Sequence, residues 1–136
     1  MKEIKNIYVI DDDPIVRFGI KRMLTNIISC NINEFNNGQV AIDTITTNIK
    51  NREALPEVIF LDLNMPILDG WGFLKEFISL QIDKKILINI ITSSIDSSDQ
   101  ERWQFFKNKT QHHIDFINKP VSIIDLKDLH KEDMVS

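Results

Sequence analysis

Val58-Ile59-Phe60-Leu61-Asp62-Leu63-Asn64-Met65-Pro66-Ile67-Leu68-Asp69-Gly70 is the stretch that decides the fold. Four apolar residues run into Asp62, and a turn containing Met65-Pro66 and Asp69-Gly70 follows it. A run this short and this apolar predicts a central strand buried on both faces. A carboxylate at the end of such a strand is costly to bury unless something pairs with it. Candidate partners stand at the ends of three other short apolar runs: Asp11-Asp12-Asp13, Thr92-Ser93 and Lys119. The reading predicts that these four strand ends meet at one site.

Toward the N-terminus, Ile4 to Ile10 holds the apolar run that ends in the three aspartates. Asp13-Pro14 reads as a helix start, with Asp13 at the N-cap and Pro14 at the first helical position. At about 100° per residue, Val16, Ile20, Met23, Leu24 and Ile27 share one face, which predicts the core side of that helix. Ile15 and Phe18 fall off it, near Arg22. Either chance puts them there or they belong to a docking surface close to the site. Asn31 to Phe35 is weakly patterned and predicts an edge strand. Asn36-Asn37-Gly38 punctuates it, and a helix over Gln39 to Asn48 follows with Val40, Ala41, Ile42 and Ile45 as its apolar members. Lys50 to Glu57 is polar, contains Pro56 and predicts a loop.

Toward the C-terminus, Trp71 to Leu80 predicts a helix, with Phe73, Leu74, Phe77 and Ile78 at helical spacing. Ile86 to Ile91 is a strand interrupted only by Asn89 and ending in Thr92-Ser93-Ser94. Asp96 to Asp99 is a dense helix-start cluster, and the helix runs to about Phe106 with Trp103, Phe105 and Phe106 on it. Core packing accounts for at least two of these three aromatics. Lys107 to His113 predicts a loop. His112 and His113 lack metal-ligand spacing to any other candidate, so both read as loop residues. Ile114 to Ile117 predicts the last strand, ending at Asn118-Lys119-Pro120. Ser122 caps a short final helix with Ile123, Ile124, Leu126 and Leu129, and the tail from Lys131 is expected to fray.

Short apolar strands thus alternate with helices five times, which is the pattern of a doubly wound α/β sandwich with a parallel sheet. Such sheets carry their sites just beyond the carboxyl ends of the strands. A chain of 136 residues, 43% apolar and 26% charged, is long enough for one good core and predicts a single domain over 1–136, with its core at about 4–130. A net charge of −4 with no basic block argues against direct nucleic-acid binding. The single cysteine, Cys30, excludes an internal disulfide, suits a reducing compartment and reads as a small buried hydrophobe. Met1 to Asn6 is short and charged, with no secretory apolar segment, and no apolar run approaches the roughly 18 residues that span a membrane. The expected location is cytoplasmic.

Carboxylates converging within a few ångströms repel one another strongly. A hard divalent cation relieves this, and Mg²⁺ typically takes one or two carboxylates plus phosphate oxygens and waters. Asp11, Asp12 and Asp62 can supply the carboxylates, and a backbone carbonyl after Asp62 can add a ligand. A carboxylate can also be the nucleophile of phosphoryl transfer, giving an aspartyl phosphate. Charge on the transferring group would then be neutralised by the cation, by Lys119, by the Thr92 hydroxyl and by peptide N–H groups near Asn64 and Ser93.

These residues resemble the receiver domain of bacterial two-component response regulators, over about Ile4 to Leu129. The motifs are Val9-Ile-Asp-Asp-Asp-Pro14, Leu61-Asp-Leu-Asn-Met-Pro66 with Asp69-Gly70, Ile91-Thr-Ser93 and Asn118-Lys-Pro120. The resemblance implies a flavodoxin-like three-layer sandwich with five parallel strands in the order 2-1-3-4-5. It implies that Asp62 accepts phosphate from a phosphohistidine, that Asp12 binds Mg²⁺ (or Mn²⁺ in its place) directly, that Asp11 acts largely through water, and that the Asn64 carbonyl completes the metal site. Thr92 and Lys119 would meet the phosphoryl group. The Lys119-Pro120 bond would be cis. Phe116 matches the aromatic switch position, and Asn64 and Ser94 match positions that tune the lifetime of the phosphate. Ile15, Phe18 and Pro120 would lie where a sensor histidine kinase or histidine phosphotransfer protein docks. A stand-alone receiver of this kind catalyses only its own phosphorylation and dephosphorylation, and passes its signal to a downstream protein partner. It would be a monomer or a weak dimer through the face of helix 4, strand 5 and helix 5, and would touch no membrane.

Two features depart from the family pattern. The segment between Thr92 and Lys119 is several residues longer than usual, and Gln111-His112-His113 stands where a Gly-Ala pair is expected before the last strand. Two other functions compete. A receiver-like module could bind partners without phosphorylation. Asp11-x-Asp13 after an apolar strand also resembles the nucleophile motif of haloacid-dehalogenase-type phosphatases, with Asp11 as nucleophile and Asp13 as acid/base.

Overall fold

The computed structural model describes residues 3–93, 95–127 and 129. Ten elements alternate along the chain. They are β1 (Asn6–Ile10), α1 (Pro14–Ile27), β2 (Asn31–Phe35), α2 (Gly38–Lys50), β3 (Val58–Asp62), α3 (Gly70–Ile78), β4 (Leu87–Thr92), α4 (Ser97–Lys107), β5 (His113–Asn118) and α5 (Ile123–Lys127). All strand pairs are parallel, in the order β2-β1-β3-β4-β5, which is the doubly wound sheet expected from the sequence.

Helix starts are written in single polar residues. Asp13, Asn37, Asp69 and Asp96 are the N-caps of α1, α2, α3 and α4, and each side chain accepts a hydrogen bond from an amide of the first turn. Asp96 and Asp99 form a reciprocal capping box. Gly38, read as punctuation, is instead the first residue of α2.

The sheet separates two apolar layers. On one side Tyr8, Ile10, Ile59, Leu61, Ile88 and Ile90 pack against α2, α3 and α4 through Ala41, Ile42, Ile45, Phe73, Phe77 and Phe106. On the other side Ile7, Val9, Val58, Phe60 and Ile91 pack against α1 and α5 through Ile20, Leu24, Leu126 and Leu129. Every residue of β3 is buried, as a central strand requires. The α1 stripe is as expected at Ile20 and Leu24, with Val16, Met23 and Ile27 partly buried beside them. Val40 stands away from the α2 core face and is exposed.

The loop reading holds for residues 108–112 and needs correcting at both ends, since Lys107 is the last residue of α4. His113 is the first residue of β5, paired with Leu87. His112 is buried, its ring lies against Phe77, and its Nδ1 accepts the Ile86 N–H at 3.0 Å. That imidazole satisfies an amide just before β4 that the sheet leaves without a strand partner. The tail from Lys131 lies outside the described residues.

Candidate functional site

Sheet register brings the predicted residues to one level. Ile10 is opposite Leu61, so Asp11 and Asp62 both lie one step beyond a paired position. Asp62 is opposite Ile91 and Thr92 is opposite Asn118, so Thr92 and Lys119 follow at the same edge. Gly70 lets α3 begin close against this edge. A Cβ there would lie 2.6 Å from the Asp62 carbonyl oxygen and 2.8 Å from Leu63 Cα.

Carboxylate oxygens of Asp11, Asp12 and Asp62 all lie within 4.8 Å of one another. Asp11 and Asp62 are buried and Asp12 is exposed. Lys119 Nζ stands between the two buried acids, 3.1 Å from Asp11 Oδ2 and 3.4 Å from Asp62 Oδ1. The Asn64 N–H also points to Asp62 Oδ1, at 3.4 Å. Thr92 is buried, and its carbonyl accepts the Lys119 N–H at 2.8 Å. The Lys119-Pro120 peptide bond is cis, as the resemblance implies.

The electrostatics follow from this crowding. Burial, then the Asp11 charge, pushes the pKa of Asp62 up to about 6, against the opposing pull of Lys119 and Asn64. Burial works against the Lys119 ammonium, but Asp11 and Asp62 outweigh it and hold its pKa above the ordinary lysine value. One cation does not serve two buried carboxylates and a third at the rim. The close partner of buried Asp11 Oδ2 is the Lys119 ammonium at 3.1 Å, which Asp62 shares. A set of three converging carboxylates with a single ammonium between them fits a hard divalent cation.

The remaining residues are distributed around this edge. Ile15 is 79% exposed and Phe18 is 61% exposed, both off the core stripe of α1. Ile15 and Pro120 line one apolar groove of about 400 Å³ beside Lys119, together with Val16, Gly19, Met23 and Val121. Phe18 does not join it, and lines a separate depression with Lys21, Arg22 and Glu34. Phe116 packs edge-on against Trp103 at 4.8 Å, and the Trp103 indole N–H donates to the Ile114 carbonyl at 3.0 Å. Phe106 is buried and Trp103 partly so, while Phe105 is exposed. Ser94 lies outside the described residues. Asp13 is committed to capping α1, its carboxylate accepting the Ile15 N–H at 2.9 Å.

Two residues at this edge carried no signal in the sequence. Arg17 on α1 donates from Nη1 to the Asp11 carbonyl at 2.6 Å, and from Nε to Glu34 on β2 at 3.2 Å. Their meeting depends on the β1–β2 register and the path of α1, which no local pattern encodes.

Among curated proteins, the chain is 32% identical over 133 residues to a protein-glutamate methylesterase/protein-glutamine glutaminase from Syntrophomonas wolfei. That alignment covers 96% of this chain and 34% of the relative. It is 27% identical to the Methanosarcina mazei protein of the same description, covering 91% of this chain and 32% of the relative. The chain therefore spans about a third of the length of these relatives. Among solved structures, a two component response regulator from Cytophaga hutchinsonii superposes with a TM-score of 0.77 at 22% identity, covering 99% of this chain and 100% of that one. The Vibrio cholerae chemotaxis protein CheY4 superposes with a TM-score of 0.76 at 17% identity, covering 95% and 98%. These likenesses establish the flavodoxin-like fold. The family model of the response regulator receiver domain matches residues 7–131, and the chain belongs to that family.

Proposed function

We propose that this receiver domain takes a phosphoryl group from a phosphohistidine onto Asp62. The observation that carries the reading is the convergence of Asp11, Asp12 and Lys119 on Asp62 at a buried strand end. An Asp62 oxygen forms the new O–P bond as the P–N bond to the donor imidazole breaks, and the freed imidazole takes a proton from solvent. With a pKa of about 6, Asp62 is mostly ionised at neutral pH and available as the nucleophile. Lys119 neutralises phosphoryl charge, and the Thr92 hydroxyl and the amides near Asn64 and Ser93 bind the remaining oxygens. Asp12 directly, Asp11 largely through water, Asp62 and the Asn64 carbonyl would hold Mg²⁺, or Mn²⁺ in its place. Such a cation, when bound, neutralises charge on the transferring group.

The groove beside Lys119 and Pro120 supports docking of a histidine kinase or phosphotransfer protein over Ile15. Phosphorylation replaces the single charge of Asp62 with a phosphoryl group carrying nearly two, beside the carboxylates of Asp11 and Asp12. Thr92 moving to meet them would free space for Phe116, and the face of α4, β5 and α5 would repack for a downstream partner or a weak dimer. In this reading the chain is one domain with no turnover beyond its own phosphorylation, Asn64 and Ser94 setting how long the phosphate lasts. It works in the cytoplasm, where phosphohistidine donors are made from ATP. A phosphatase reading would need Asp13 free as acid/base, and Asp13 is occupied as a helix cap.

The test is intact mass after incubation with a small acyl phosphate, with and without Mg²⁺, for wild type and Asp62→Asn. A single phosphoryl adduct that requires both Mg²⁺ and Asp62 is expected. No adduct on wild type that binds Mg²⁺ would favour a phosphorylation-independent module. An adduct that survives Asp62→Asn and is lost in Asp11→Asn would favour the phosphatase reading.

A further inference from the structure

We infer that Arg17 is a positioning residue for the Asp12 metal ligand, acting through the peptide bond that joins Asp11 to Asp12. The inference rests on the metal-dependent reading above. Of the three acids after β1, two have their side chains engaged. Asp11 Oδ1 accepts the Asp13 N–H at 2.8 Å, and Asp13 Oδ1 accepts the Ile15 N–H at 2.9 Å. Asp12 is exposed and makes no hydrogen bond or ion pair with any described residue. Nothing on the side chain itself aims it at Asp62, so its direction is set by the backbone that carries it.

That backbone is held on both sides. The Asp11 N–H donates to the Phe35 carbonyl at 3.0 Å. The Asp11 carbonyl accepts Arg17 Nη1 at 2.6 Å. A peptide group is planar, so fixing this carbonyl fixes the orientation of the Asp12 N–Cα bond. The bond is charge-assisted, and Arg17 is only 17% exposed, which favours a single geometry. Arg17 is held in turn by Glu34, through Nε at 3.2 Å, and Lys21 sits 3.6 Å from the other Glu34 oxygen. A planar fork facing two acceptors at once is a task for guanidinium, whereas a lysine ammonium reaches one of them as a point charge.

Loss of a residue that orients a metal ligand typically costs roughly 10–100-fold in metal affinity. The experiment titrates free Mn²⁺ by electron paramagnetic resonance for wild type, Arg17→Ala, Arg17→Lys and Glu34→Gln. Urea unfolding identifies which variants are folded, and acyl-phosphate labelling is run at low and saturating Mn²⁺. Arg17→Ala is expected to lose Mn²⁺ affinity by roughly 10–100-fold, with Arg17→Lys recovering part of it and Glu34→Gln losing less. Labelling is expected to be reduced at low Mn²⁺ and restored at saturation, because Asp62 and Lys119 are untouched. A folded Arg17→Ala that binds Mn²⁺ as tightly as wild type overturns the inference. If that variant does not fold, wild-type affinity in both Arg17→Lys and Glu34→Gln overturns it instead. Wild type that binds no Mn²⁺ overturns the metal reading as well, so the two failures are distinct.

Discussion

Asp62→Asn should stabilise the metal-free protein at neutral pH while abolishing its chemistry. The Asp62 carboxyl has a pKa of about 6 in the fold against an ordinary 3.8, because burial and the Asp11 charge disfavour its ionised form. A difference of about two units corresponds to roughly 3 kcal/mol of destabilisation once pH exceeds both values. Solvent and counter-ions at the mouth of the site reduce this to about 1–2 kcal/mol. The sign is set by proton binding. The folded state holds the Asp62 proton more tightly than the unfolded chain, so wild type gains stability as pH falls from about 7 toward about 4. Asp62→Asn lacks that gain, and contributions from carboxylates remote from Asp62 cancel in the comparison, leaving Asp62 and its coupled neighbour Asp11. Urea unfolding in the presence of a chelator, at several pH values, measures the gap. Asp62→Asn is expected to be more stable by about 1–2 kcal/mol at pH 7.5, with the gap closing as the pH approaches 4. Added Mg²⁺ should then stabilise wild type by mass action and leave the variant nearly unchanged. A variant no more stable than wild type at pH 7.5, with no dependence of the gap on pH, would refute the crowding argument.

Three further outcomes test features away from the carboxylate cluster. Glu57 accepts the Lys5 and Asn6 amides and the Lys84 ammonium, each at 2.7–2.8 Å. Burial pushes its pKa up, but Lys84 and then the two amides outweigh it and hold it below 4.5. Its stabilisation is present above that value and lost as pH falls through the folded pKa, so Glu57→Gln should flatten the acid limb of the stability curve. Glu57→Ala should cost roughly 2–4 kcal/mol in urea unfolding. His112→Ala strips the Ile86 amide of its acceptor and opens a gap against Phe77, with an expected loss of roughly 2–4 kcal/mol by the same assay. Ile67 is β-branched, 79% exposed and held at φ 71°, so Ile67→Gly should raise stability by roughly 0.5–1 kcal/mol, read as an increased unfolding midpoint.

What the sequence made legible was whatever a single element carries by itself. β2 and β3 are bounded where the pattern placed them, because each is a short run between polar or turn-forming neighbours. Helix starts were legible through Asp13 and the Asp96 cluster, since a cap acts on amides two or three positions ahead. The convergence of the candidate site was legible for the same reason: Asp11, Asp12, Asp62, Thr92 and Lys119 each stand at the end of their own apolar run. His112 lies in the loop where the sequence placed it, but its burial was not legible because its partners are not local. It looks like a polar loop residue until the β4–β5 pairing sets it beside Ile86, 26 positions away. Phe18 and Ile15 illustrate the same limit, since both leave the core stripe of α1 yet line different surfaces.

Arg17 and Glu34 show how strand register reaches the site. Val9 is opposite Glu34 and Ile10 is opposite Phe35. Phe35 packs against Tyr8 on the α2 side of the sheet, at a ring separation of 4.8 Å. Alternation then directs Glu34 to the other face, under α1, where Arg17 and Lys21 meet it. A slip of one residue in β2 would put Phe35 beneath Arg17 and turn Glu34 toward the apolar layer around Tyr8. The guanidinium would lose its anchor, and the Asp11 carbonyl would lose a fixed donor. The Asp11 amide, which donates to Phe35, would change partner in the same step. An edge strand with few core contacts is therefore held in register partly by the polar clasp at its end. That clasp is also what aims the exposed acid at Asp62.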